Sequence, residues 1–166
     1  MKIYGHRGAC GHAPENTLLS MQKALDLKVA GFEFDIQLSA DGKAVVIHDE
    51  TLERTTNGTG FVHEHDYATL KKLDAGKGER IPLLEDVFAL ANRNCELFIE
   101  IKAEGAEAEV ARIISKQVKC GWDYAQISVV SFNHLQLKAI RAINPNIRTG
   151  AILVAIPVSL AAIAQE

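Results

Sequence analysis

Gly31-Phe32-Glu33-Phe34-Asp35-Ile36-Gln37-Leu38-Ser39-Ala40-Asp41-Gly42-Lys43-Ala44-Val45-Val46-Ile47-His48-Asp49 reads as two extended runs joined by a tight turn. Phe32–Leu38 and Ala44–Ile47 are rich in aromatic and β-branched residues, which suit a pleated, half-buried surface. Only Ser39-Ala40-Asp41-Gly42 separates them, far too little for a parallel crossover. Asp-Gly between extended runs is a hairpin signal. Pairing Leu38 with Lys43 sets Glu33 opposite His48, so this register returns His48 beside the acidic residues of the first run. Glu33 and Asp35, two apart on a strand, point to one face, while Phe34 and Ile36 point to the other.

Outward from this hairpin, strand and helix signals alternate. Lys2–Gly5 is a short strand leading into a glycine-rich loop. Asn16 or Thr17 can cap a helix that carries Leu18, Met21, Leu25 and Val29 on one face, with Gly31 suited to its C-terminal end. Downstream, Leu84–Ala91 is a helix with Val87 and Leu90 inward, and Leu97–Ile101 is a strand. Ala106–Lys119 is a helix built on Val110, Ile113, Ile114 and Val118 and closed by Gly121. Ile127–Val130 is a strand, and Asn133 caps a helix that uses Leu135, Leu137 and Ile140. Arg148–Val154 is the last strand, and Pro157 fits the first turn of a further helix. Six strands largely separated by helices define an α/β parallel architecture. Residues 51–80 are polar and without sustained periodicity; a loop of this length in a compact domain is usually a functional rim, lid or binding segment.

Composition narrows the function classes. A chain of 166 residues fits one domain, 1–166, with ample apolar content for a core. The net charge is −3 and the basic residues are scattered, so a nucleic-acid partner is not expected. The start of the chain lacks a secretory signal pattern. Cys10, Cys95 and Cys120 have no metal-type spacing, and their odd number argues against a disulfide framework. A reduced, cytoplasmic setting follows as the simplest expectation. The uncharged run Ala151 to Ala164 is broken by Pro157 and is shorter than the roughly 20 residues a membrane span needs, so stable membrane insertion is not expected.

The chemistry-bearing residues sit at strand ends. His6-Arg7-Gly8 closes the first strand, Glu33-Phe34-Asp35 lines the second, His48-Asp49 ends the third, and Glu100-Ile101-Lys102 ends the fourth. Two inward carboxylates cannot both ionise cheaply without a cation between them. An all-oxygen site of this kind favours Mg²⁺ or Ca²⁺, with Glu33, Asp35 and Glu100 as ligands. The alternative for Glu33 and Asp35 is a plain polar strand face. Arg7 offers a planar fork for phosphate oxygens, and Lys102 shares a strand face with Glu100. A salt bridge from Lys102 to Glu100 or Asp35 is the structural alternative and is compatible with phosphate binding. His63-Glu64-His65-Asp66 reads better as a solvated turn than as a transition-metal site.

Gly5-His6-Arg7-Gly8, Pro14-Glu15-Asn16-Thr17, Gly31-Phe32-Glu33-Phe34-Asp35, Asp41-Gly42 leading into Val45-Val46-Ile47-His48-Asp49, Glu100-Ile101-Lys102 and Ser131-Phe132-Asn133 together resemble the glycerophosphodiester phosphodiesterase family. The resemblance runs to about Val154. It implies a TIM-type (β/α) barrel with catalytic groups at the C-terminal strand ends. Such barrels typically need about 250 residues, so the expectation is an incomplete barrel of six of eight strands, with a small insertion, 51–80, after the third. It implies His6 and His48 as the catalytic pair, one base and one acid, a task suited to imidazoles near neutral pH. It further implies a divalent metal, Mg²⁺ or Ca²⁺, on Glu33, Asp35 and Glu100. Arg7 and Lys102 would bind phosphate, with Glu15 near substrate or metal and Phe132 as an apolar wall for a glycerol or alcohol moiety.

The reaction implied is hydrolysis of a small glycerophosphodiester to sn-glycerol 3-phosphate and an alcohol. Which histidine is the acid, and whether water or the glycerol hydroxyl attacks, stay open. Two other readings stand beside it: a related phospholipase-type phosphodiesterase, and an inactive or regulatory barrel fragment that binds glycerophosphates or a partner. Open strand edges, unless covered, lead to an expectation of self-association.

Overall fold

The computed structural model describes residues 1–154. Among them, β1 (Tyr4–Gly5), β2 (Gly31–Leu38), β4 (Glu96–Ile101), β5 (Ile127–Ser131) and β6 (Arg148–Ala151) form a parallel sheet in the order β1-β2-β4-β5-β6. β3 (Ala44–Val46) runs antiparallel on β2, off that path. The helices are α1 (Leu18–Asp26), the single-turn α2 (Tyr67–Leu70), α3 (Leu84–Ala91), α4 (Glu107–Lys119) and α5 (His134–Ile143). The sheet is not closed among the described residues: β1 and β6 are its two edges. This is the architecture of an incomplete TIM-type (β/α) barrel.

Strand alternation separates the core from the site. Phe32, Phe34, Ile36, Leu97, Ile99, Ile101, Ile127 and Val129 are buried in one cluster with Met21, Val87, Phe88, Val110, Ile113, Ile114 and Ile140 of the helices. Phe32 and Phe34 are fully buried, and burying an aromatic side chain of this size contributes about 2–3 kcal/mol. The intervening residues Glu33, Asp35, Phe98 and Glu100 therefore take the opposite face. A period-2 pattern thus places the carboxylates on the side away from the helices.

The hairpin forms, with a different register from the one expected. Leu38 pairs with Ala44, Gln37 with Val45 and Ile36 with Val46. Ser39 belongs to the ladder, its N–H donating to Lys43 O at 3.0 Å. The loop is therefore only Ala40-Asp41-Gly42, closed by Gly42 at φ 73°, a three-residue turn ending in a left-handed glycine. Counting Ser39 as loop shifted the expected register by one, so Glu33 does not face His48. One step of register exchanges the faces of a strand. The observed step puts Val46 into the main core and turns Val45 and Ile47 toward a second cluster with Leu52, Val62, Leu70, Ala75 and Ile81. Ile47 N–H still donates to Asp35 O at 3.2 Å, so the chain does return to the level of the acidic residues.

That second cluster gives 51–80 a structure its polar composition conceals. Leu52 N–H bonds Gly60 O, Val62–Glu64 forms a 3-10 turn, and α2 is capped by Asp66. α1 is capped by Thr17, one of the two expected candidates, whose hydroxyl accepts from Ser20 N–H. Other element ends differ locally from expectation: α1 ends at Asp26, with Lys28 in the left-handed region. Gly31 instead starts β2, where a Cβ would lie 2.2 Å from Glu96 O. In α5, capped by Asn133 as expected, Leu135 is exposed and Gln136 is buried. β1 and β6 are shorter than the expected Lys2–Gly5 and Arg148–Val154. The further helix begun by Pro157 lies outside the described residues.

Candidate active site

Glu33, Asp35 and Glu100 meet on the face of β2 and β4 opposite the helices. One carboxylate oxygen from each lies within 4.8 Å of the others, the one group of this kind among the described residues. Parallel pairing of Asp35 with Glu100 sets two of them side by side. Three acidic oxygens, Glu33 Oε1, Asp35 Oδ1 and Glu100 Oε1, are buried without a hydrogen-bond donor. Lys102 approaches two of these as an ion pair, at 2.5 Å from Glu100 Oε1 and 3.5 Å from Asp35 Oδ1. Burial, reinforced by the Asp35 charge, pushes the Glu33 carboxyl up to about 7. Buried carboxylates gathered this closely, with Glu33 Oε1 unpartnered and Asp35 Oδ1 and Glu100 Oε1 offset by Lys102, fit a hard divalent cation.

The loop after β1 supplies much of the remaining support. Arg7 adopts φ 51° and Gly8 φ 76°. A Cβ on Gly8 would lie 2.3 Å from Ser20 Oγ, so this turn against α1 requires glycine. In this conformation Arg7 N–H donates to Glu33 Oε2 at 3.1 Å, and Arg7 O accepts from Asn16 N–H and Ser20 Oγ. The Arg7 side chain bonds Glu15 Oε1 at 2.8 Å and sits 3.5 Å from Asp35 Oδ2. Both of its contacts are acidic, which fixes a cation at the edge of the carboxylate group. His6 is largely exposed, with Nε2 3.8 Å from Glu33 Oε2.

His48 follows β3, its carbonyl accepting from the Gln37 side-chain amide at 3.1 Å. Its Nδ1 lies 2.6 Å from Asp49 Oδ1. An ionised carboxylate only accepts, so Nδ1 carries the hydrogen and neutral His48 has its lone pair on Nε2. Arg54, with His48 adding to it, holds the Asp49 carboxyl well below the usual carboxylate range. On the far side of the group, Lys102 Nζ is 5.4 Å from the centroid of the half-exposed Phe132 ring, a cation–π distance.

Three residues act here that sequence reading did not assign. Asn16, read as a cap, turns its amide onto Asp35 instead, Nδ2 to Oδ2 at 2.8 Å. Asp49 orients His48, and Arg54 bonds both Asp49 and Glu15. Adjacency to His48 was an available signal for Asp49; nothing local marked Arg54. Glu15 has both oxygens engaged by Arg7 and Arg54. The His63–Asp66 segment forms no acidic or imidazole cluster: His65 Nε2 bonds Thr59 O, and Asp66 caps α2.

Histidines after β1 and β3, a buried group of three carboxylates and flanking cations lie on one (β/α) sheet, and the chain belongs to the glycerophosphoryl diester phosphodiesterase family, whose model matches residues 6–164. It is 37% identical over 158 residues to a glycerophosphodiester phosphodiesterase of Caldanaerobacter subterraneus subsp. tengcongensis, covering 89% of this chain and 65% of the relative. A Bacillus subtilis glycerophosphodiester phosphodiesterase is 34% identical over 173 residues, covering 89% of this chain and 58% of that protein. The chain thus spans less than two thirds of the length of these relatives. The solved structure of an Oleispira antarctica phosphodiesterase in complex with the product sn-glycerol-3-phosphate superposes with a TM-score of 0.89 at 33% identity, covering 99% of this chain and 71% of that one.

Proposed function

We propose that this chain cleaves glycerophosphodiesters to sn-glycerol 3-phosphate and an alcohol in a metal-dependent reaction. The observation that carries this reading is the gathering of the Glu33, Asp35 and Glu100 carboxylates on one face, with His6 Nε2 3.8 Å from Glu33 Oε2 and the cations Arg7 and Lys102 each 3.5 Å from Asp35. Glu33, Asp35 and Glu100 would hold Mg²⁺ or Ca²⁺, which when bound offsets negative charge on the phosphoryl oxygens. Arg7 and Lys102 bind the remaining phosphate oxygens, Lys102 as a point charge and Arg7 through its planar fork. His6 and His48 share the proton work: one takes a proton from the attacking hydroxyl, and the other gives one to the leaving alkoxide. Asp49 keeps the proton of neutral His48 on Nδ1, so exchange with substrate occurs at Nε2. Phe132 offers an apolar wall beside Lys102 for the carbon skeleton of the substrate.

Segment 51–80, packed on its own small core, forms the rim on the His48 side of this cup. No helix among the described residues is long and apolar enough to cross a membrane. Cys10, Cys95 and Cys120 are all free, in keeping with a reduced cytoplasmic setting. Exposed Ile3 and Tyr4 beside β1 support self-association through that sheet edge.

The test is turnover of glycerophosphocholine and glycerophosphoethanolamine by wild type, His6→Ala and His48→Ala, with metal binding measured alongside. Loss of turnover with metal binding retained supports the assignment of the histidines. Ligand binding by the folded wild type with no turnover in any divalent metal would instead favour a binding-only barrel.

A further inference from the structure

Arg54 sits on a turn of segment 51–80 that is pinned by buried Leu52: Thr56 N–H and Thr56 Oγ1 both donate to Leu52 O, at 3.0 and 2.7 Å. From there the guanidinium reaches two carboxylates at once. Its Nε donates to Asp49 Oδ2 at 2.6 Å and its Nη2 to Asp49 Oδ1 at 2.8 Å. Its Nη1 donates to Glu15 Oε2 at 2.9 Å and Nη2 again to Glu15 Oε1 at 2.8 Å. Both edges of one planar group are thereby used in paired contacts. Asp49 in turn accepts from His48 Nδ1, and Glu15 accepts from Arg7. The result is an unbroken alternation of hydrogen-bond donors and acceptors from His48 through Asp49, Arg54 and Glu15 to Arg7.

We infer that Arg54 is a positioning residue, which acts through Asp49 to hold His48 in one tautomer and one orientation. This rests on the proposed phosphodiesterase reading and deepens it. His48 and Asp49 are chain neighbours, and a bond between neighbours by itself leaves the carboxylate free to rotate about its own side-chain torsions. The bidentate fork fixes the plane of the Asp49 carboxylate, and with it the direction from which Nδ1–H is received. Arg54 is 46% exposed in its side chain. Solvent therefore screens the attraction, and its contribution is geometric rather than a large share of stability. The arrangement also gives segment 51–80 a part in catalysis: the rim supplies the group that orients an imidazole of the cup.

The test compares Arg54→Ala with Arg54→Lys in two readouts. The first is the ring-nitrogen NMR spectrum of His48 in the protein without substrate. Wild type is expected to show a single neutral tautomer with the hydrogen on Nδ1, Arg54→Ala a mixture, and Arg54→Lys, which keeps the charge but not the fork, a partial return. The second is steady-state kinetics, where Arg54→Ala is expected to lower kcat by about tenfold or more, with KM moving far less. Arg112→Ala, which breaks a surface pair with Glu109 and Glu85, is expected to alter neither readout. A folded Arg54→Ala that keeps the single tautomer and the wild-type kcat overturns the inference. The tautomer is read with no substrate present, so a wild type lacking phosphodiesterase activity would remove the functional reading and leave the Arg54 test intact. If Arg54→Ala does not fold, Arg54→Gln carries the same comparison.

Discussion

Asn16 and Asp35 bind each other in both directions: the Asn16 amide donates to Asp35 Oδ2 at 2.8 Å and its oxygen accepts the Asp35 backbone N–H at 3.3 Å. Donor and acceptor roles are unambiguous, because a carboxylate only accepts and a backbone N–H only donates. Asn16 reaches this position at φ 57°, a conformation asparagine tolerates better than most residues. The loop before α1 thereby locks a residue of the acidic group from outside the sheet.

Replacing Asn16 with Ala leaves one oxygen and one N–H of buried Asp35 without this partner. The expected stability loss is about 1–3 kcal/mol, and the expected loss in divalent-metal affinity is roughly tenfold to a hundredfold. Denaturant unfolding and calorimetric titration with Ca²⁺ or Mg²⁺ measure the two. Unchanged affinity in a folded variant would mean that Asn16 supports the loop alone.

Glu33 gives the metal-free protein a defined pH dependence. Its folded-state value, about 7, lies above its ordinary 4.5, so the unfolded chain releases this proton first. The contribution to stability is therefore fully present below about pH 4.5 and is lost as pH rises through 7, by at most roughly 3 kcal/mol. Carboxylates held low by cations, such as Glu15, slope the other way at lower pH, so the informative comparison is with Glu33→Gln. In chelator, wild type is expected to lose stability between pH 5 and pH 8 relative to that variant. Added metal should remove the difference while releasing a proton near neutral pH, which calorimetry in buffers of different ionisation heat detects.

Gly8→Ala tests the loop that carries Arg7. The positive φ and the 2.3 Å approach of Ser20 Oγ act together, so the cost is expected to exceed the roughly 1 kcal/mol of an ordinary glycine-to-alanine strain. Thermal melting measures it. A stability equal to wild type would show that α1 can move away from the loop, and Arg7 N–H would then not be held on Glu33.

The alternation of strand and helix was legible because Phe32, Phe34, Ile36, Leu97, Ile99 and Ile101 bury a full apolar face, and a period of two exposes the other. The same period gives the metal candidates Glu33 and Asp35 a common face, and parallel pairing of Asp35 with Glu100 adds the third. What local pattern could not resolve was a single residue of turn. Whether Ser39 is loop or ladder depends on Gly42 adopting a left-handed conformation, and that choice decides which face Val45 and Ile47 occupy. The core under segment 51–80 was hidden for a related reason: Leu52, Val62, Leu70 and Ile81 are too far apart for any helical or strand period. Arg54 lies in the same stretch, and its partners Glu15 and Asp49 meet it only through tertiary packing. Gln136, buried where Leu135 was expected, bonds Ser131 Oγ and Ala103 O, so hydrogen bonding rather than apolar burial sets that face of α5.

The most direct test of the account is release of glycerol 3-phosphate from glycerophosphocholine by the purified chain, in chelator, in Mg²⁺ and in Ca²⁺, with Glu33→Ala, Asp35→Ala and His6→Ala in parallel. The expected result is release that requires a divalent metal and is abolished in all three variants, with His6→Ala alone still binding the metal. Release that persists in chelator, or that survives loss of Glu33 and Asp35 together, would contradict the account.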